Sequence, residues 1–74
     1  MSNLVSLKSI IDKLEEEKKI PVGYISFRQA YKANKINEEA TKHIQEVKKF
    51  SSISYYVDKS HIDKFSEALI KQFN

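Results

Sequence analysis

The sequence predicts a mainly α-helical fold with a small β element, ordered helix, strand, helix, turn, helix, strand, helix. Three observations predict it. Apolar residues recur at spacings of three and four along four separate stretches. Two short runs, VGYIS at 22–26 and SSISYYVD at 51–58, are rich in β-branched and aromatic residues. The only glycine is Gly23 and the only proline is Pro21, so asparagine and serine must mark the other boundaries.

In residues 3–19 the stripe Leu4, Leu7, Ile11 and Leu14, widened by Ile10, forms one helix face. Ser2 or Asn3 can cap its start, Lys18 and Lys19 suit its last turn, and Pro21 ends it. Residues 22–26 read as a strand. Ser26 then caps a short helix to Ala33, whose apolar side is Phe27, Ala30 and Tyr31. N-K-I-N at 34–37 reads as a tight turn. Asn34 tolerates a left-handed backbone, Ile36 points inward, and Asn37 caps the next helix. That helix is expected over 38–50, with Glu38 and Glu39 in its first turn, Ala40, Ile44, Val47 and Phe50 on one face, and Lys48 and Lys49 at its end. Residues 51–58 alternate, with Ile53, Tyr55 and Val57 on one side and Tyr56 on the other, as a half-buried strand able to pair with 22–26. Ser60 and Asp63 resemble a capping box before a last helix carrying Ile62, Phe65, Leu69 and Phe73.

Seventy-four residues suffice for one compact domain, with residues 1–20 as an N-terminal amphipathic helix and 22–74 as its body. A chain this short buries only about 60% of its unfolded surface, and with no cysteine it has no disulfide to compensate. The first helix is therefore expected to dock on the core or to dimerise the domain. No apolar run reaches membrane-spanning length and no signal-peptide pattern opens the sequence, so a cytoplasmic location is expected. An enzyme is not expected. There is no thiol nucleophile and no G-x-S-x-G context, and the carboxylates are spaced among lysines. His43 with Glu39, or His61 with Asp58, makes no ligand set, so neither metal nor cofactor is expected.

The net charge of +3 has a definite location. Residues 1–20 hold four bases and four acids, residues 50–74 three and three, and residues 28–49 six and three. A local cationic surface attracts phosphate backbones.

The runs YISFRQAY, N-K-I-N and SYYVDKSHIDKFSEAL resemble small winged helix-turn-helix DNA-binding domains, of the excisionase and MerR-like type found in phages, plasmids and mobile elements. Ser26, Ala30, Ile36, Tyr55, Val57, Lys59, Ile62 and Phe65 carry the likeness, which spans about residues 24–70. The resemblance implies a winged helix-turn-helix-like fold and an excisionase, repressor or accessory factor that binds double-stranded DNA, as a dimer or cooperatively. Helix 38–50 would enter the major groove. Thr41, Lys42, Gln45, Lys48 and Lys49 would face the bases, while Arg28, Lys32 and Lys35 would hold phosphates. The alternative is a non-enzymatic protein-interaction module, such as a small phage protein that redirects a host or viral protein through its first helix, Glu38–Glu39 and Tyr56.

Overall fold

The computed structural model describes residues 3–73, which form a small α+β fold. In chain order the elements are β1 (Leu4–Ser6), α1 (Leu7–Glu16), α2 (Tyr24–Lys32), α3 (Glu38–Thr41), β2 (Ile44–Lys49), β3 (Ser52–Asp58), a 3-10 turn (Lys59–His61) and α4 (Ile62–Phe73). The sheet has the order β1-β3-β2, and both pairings are antiparallel.

β3 is the strand expected from the alternation in 51–58, and Val57 shows how it organises the sheet. Val57 lies opposite Val5 of β1 on one side and opposite Ile44 of β2 on the other. Both edges of β3 are thus occupied by segments that the sequence pattern assigned to helices. Residues 22–26 do not form the expected strand. With no free edge of β3 to pair with, Tyr24–Ser26 become the first turn of α2, and Gly23 takes the N-cap position. Leu4 leaves the helical stripe for β1, so α1 starts at Leu7 and Ser6 takes the N-cap position without a side-chain cap bond. The proposed cap at Asn3 is therefore displaced, and Ser2 lies outside the described residues.

The largest correction concerns residues 38–50. The helix ends at Thr41, and residues 44–49 form β2. Ile44 and Val47 lie three apart and look helical, but in β2 they face opposite sides of the sheet, and each is partly buried there. Two marginal burials on two faces thus imitate one helical face.

α1 and α2 end in the same way. Lys18 and Asn34 both have φ of 59°. Beyond them, the Lys19 N–H donates to the Leu14 carbonyl and the Lys35 N–H to the Ala30 carbonyl, each at 2.9 Å. The Lys18 and Asn34 N–H groups donate to the Glu15 and Tyr31 carbonyls, at 2.9 and 3.1 Å. This pair of bonds is the Schellman arrangement, which satisfies otherwise orphaned helix-end carbonyls. Asn34 acts as its position suggested. α1 is stopped by Lys18, three residues before Pro21.

Ile36 is buried in the turn after α2, as expected. Gln72 of α4 clasps the same turn: its Oε1 accepts from the Asn37 N–H and its Nε2 donates to the Lys35 carbonyl, both at 2.8 Å. Asn37 occupies the N-cap position of α3 but makes no side-chain cap bond. At the start of the last helical segment the capping residue is Asp58, not Ser60. Its carboxylate accepts from the Ser60 N–H at 2.9 Å and from the Ser60 hydroxyl at 2.7 Å.

A single core unites these elements. Leu7 and Ile11 of α1, Phe27 of α2, Val57 of β3, and Phe65 and Leu69 of α4 are its most enclosed large side chains. Phe27 meets Phe65 edge-on at 6.3 Å, a favoured aromatic geometry. Leu7, Ile10, Ile11 and Leu14 all belong to this core, so α1 is integral to the domain.

Two stability predictions follow from the backbone. Gln72→Ala removes two bonds to the turn and is expected to cost about 1–2 kcal/mol, measured by urea unfolding. Lys18→Gly and Phe50→Asn, at the left-handed positions φ 59° and 53°, are each expected to raise stability by about 1 kcal/mol in the same assay.

Candidate nucleic-acid interface

Helical geometry places Arg28 and Lys32 on an exposed flank of α2, one turn apart. Each follows a residue turned toward the protein, Phe27 and Tyr31. Tyr31 ties this helix to the β2–β3 hairpin. Its ring meets Tyr55 edge-on at 5.5 Å, and its hydroxyl donates to Glu46 Oε2 at 2.9 Å. Partial burial, reinforced by the bond to Glu46, pushes the Tyr31 hydroxyl up to about 12. Lys35 lies exposed in the turn beyond α2.

The hairpin register fixes the remaining positions. Ile44, Glu46 and Lys48 alternate onto the helix-facing side of β2, where they lie opposite Val57, Tyr55 and Ile53. Gln45, Val47 and Lys49 take the outer side, where Gln45 lies opposite Tyr56. Tyr56 is also paired with Ser6 of β1, so it sits mid-sheet on that outer face, partly exposed. Lys49 pairs with Ser52 across a two-residue loop, Phe50-Ser51, and the Ser52 hydroxyl donates to the Lys49 carbonyl at 3.1 Å. Phe50 projects from this tip with 104% relative exposure and φ of 53°.

The eight expected DNA-contacting residues therefore do not share one helix. Arg28, Lys32 and Lys35 belong to α2 and its turn. Thr41 ends α3 half-buried, and Lys42 follows it exposed. Gln45, Lys48 and Lys49 lie on β2, with Gln45 and Lys48 on opposite faces. α3 is four residues long and packs on α4, so a recognition helix spanning 38–50 is excluded. Phe50, assigned by its spacing to a buried helical face, is instead the most exposed large apolar residue described. The one signal for it was its position directly before the SSISYYVD alternation.

Charge distribution favours the hairpin and the α2 flank. Among the described residues, ion pairs join only Lys8 to Asp12 at 2.7 Å and Lys19 to Glu17 at 3.2 Å. Arg28, Lys32, Lys35, Lys42, Lys48 and Lys49 thus have no carboxylate within ion-pair distance. The hairpin's one acid between Ile44 and Val57, Glu46, accepts from Tyr31. Glu38 and Glu39 lie before the other end of β2, and that strand's five residue steps alone span about 17 Å.

His43 and His61 stack with centroids 5.1 Å apart. Burial, and then the nearby charges of His61, Lys42 and Lys64, hold the His43 imidazole below its ordinary value. The described residues contain no cluster of three or more His, Asp or Glu able to hold a metal ion. None of their helices is long and apolar enough to cross a membrane. Compared with family models, with curated proteins and with solved structures, the chain finds no match in any of the three.

The histidine stack predicts a pH dependence. A base whose pKa is lowered by folding takes up its proton more readily when unfolded. The His43 contribution is therefore intact above about pH 6.5 and is lost as pH falls below that value. Chemical denaturation between pH 8 and pH 5 is expected to show declining stability, and His43→Gln to flatten the decline. Asp58, lowered by its bonds from Ser60, loses its contribution only as pH falls below about 4, so the two windows separate.

Proposed function

We propose that this chain is a small double-stranded DNA-binding protein that grips the duplex with the β2–β3 hairpin and the adjoining flank of α2. The order α2, turn, α3, hairpin resembles that of a winged helix-turn-helix, with the hairpin in the place of the wing. The wing takes the principal role because α3 is too short and too closely held by α4 to fill a major groove. Arg28, Lys32 and Lys35 hold phosphates on one side, and Lys48 and Lys49 on the other. The observation that carries the proposal is the set of six exposed, unpaired cations on α2, the two turns and the hairpin, beside a hairpin acid already engaged by Tyr31. The excisionase, repressor or accessory role implied by the family resemblance is compatible with this mode, since each requires a compact duplex binder.

A second reading, a protein-interaction module, draws support from an open groove of about 580 Å³ between α1 and α4, lined by Ile10, Leu14, Ile62 and Ile70. Salt separates the two. Fluorescence anisotropy on a labelled duplex is expected to show affinity falling steeply with salt, with a log–log slope of roughly −4 to −5 if about five phosphates are neutralised. Lys48→Glu with Lys49→Glu, or Arg28→Glu with Lys32→Glu, should weaken binding and flatten the slope, whereas Lys13→Glu on α1 should change little. Absence of duplex binding by the wild type at low salt would overturn the proposal in favour of the protein module.

A further inference from the structure

Phe50 is an unfavourable residue for its position on two counts. A two-residue hairpin loop with a left-handed backbone suits Asn, Asp or Gly, and a bulky residue there is strained. The ring is also left entirely in water, at 104% relative exposure, so it contributes nothing to the core. Its backbone nevertheless sits in a closed turn. The turn is closed by the Lys49–Ser52 pairing and by the Ser52 hydroxyl on the Lys49 carbonyl. The ring therefore stands at the end of the two-stranded β2–β3 ribbon. Lys48 and Lys49 precede it directly, and residues 47–57 contain no carboxylate.

We infer that Phe50 is a wedge that stacks into a base step of duplex DNA while Lys48 and Lys49 neutralise the flanking phosphates. The inference rests on the DNA-binding function proposed above and deepens it. Apolar side chains on narrow protein elements enter base steps in this way, partly unstacking them and bending the duplex. An aromatic ring stacks on any base, so the contact adds affinity with little dependence on sequence. Charge selects the occupant: the cations beside the ring, with no acid among them, match a polyanion. A lipid surface fits less well, because one ring with only the half-exposed Ile53 nearby, among lysines and serines, buries far less apolar area than an interfacial anchor needs.

The chain has no tryptophan, so Phe50→Trp supplies a single reporter at the tip. Saturating this variant with a duplex of about two helical turns is expected to quench its emission by more than half. Phe50→Ala is expected to weaken duplex binding about tenfold, with the salt slope unchanged because no phosphate contact is lost. Far-ultraviolet circular dichroism should show both variants folded, since Phe50 lies outside the core. Salt-dependent duplex binding with unaltered tryptophan emission and unweakened Phe50→Ala would overturn the wedge and leave the DNA-binding function standing. Loss of all duplex binding, including that of the wild type, would overturn both. A blue shift on vesicles of phosphatidylserine and phosphatidylcholine, without quenching by duplex, would overturn the wedge in favour of a membrane contact.

Discussion

β3 has a partner along each edge, and the rest of the molecule is arranged around that double pairing. Val57 is held between Val5 and Ile44 in the ladder and is fully buried beneath the helices. Drawing β1 to one edge leads straight into α1 at Leu7, which crosses the sheet without an intervening loop. Drawing β2 to the other edge shortens α3 to one turn and converts the following residues into a hairpin arm. In a chain with no disulfide and a small core, two cross-strand ladders on one strand give the β part of the fold a cooperativity that a lone hairpin lacks.

The helices are fixed by similarly economical means. Two non-glycine residues in left-handed geometry end α1 and α2, and a single glutamine side chain holds the second of those turns to α4. Tyr31 has the matching role on the other side of α2, where its ring and hydroxyl lock that helix to the hairpin. Since the proposed cationic surface is divided between α2 and the hairpin, Tyr31 sets the spacing of its two halves.

Much of this was legible in the residues. The alternation of Ile53, Tyr55 and Val57 located β3, and Asn34 and Ile36 located the turn. Phe65 and Leu69 located the core face of α4, and the stripe Leu7, Ile11 and Leu14 that of α1. Apart from individual helix caps, the element assignments that failed were those that depended on which segment pairs with β3, because pairing partners are set by long-range competition that local periodicity does not record. VGYIS has strand composition, but both edges of β3, its expected partner, are already taken. Ile44, Val47 and Phe50 have helical spacing, but one faces the core, one the outer sheet surface and one solvent. The proposed site coincides with the charge excess in 28–49, but its geometry was illegible, since a helix would present Gln45, Lys48 and Lys49 together whereas β2 turns Lys48 to the face opposite Gln45 and Lys49.

β2 lies at the sheet's margin, and one side of its backbone is therefore open. An uncovered strand edge is a template on which another copy of the chain can add its own strand. Here the six-residue margin carries Gln45, Glu46, Lys48 and Lys49, and long charged side chains discourage such edge-to-edge growth. The same lysines that give the hairpin its attraction for a polyanion thus help keep the molecules apart in solution. Neutralising both would leave Val47, Phe50 and Ile53 beside an unguarded edge, the composition of a self-associating ribbon. The guarding of this edge and the proposed affinity for nucleic acid therefore draw on the same two charges.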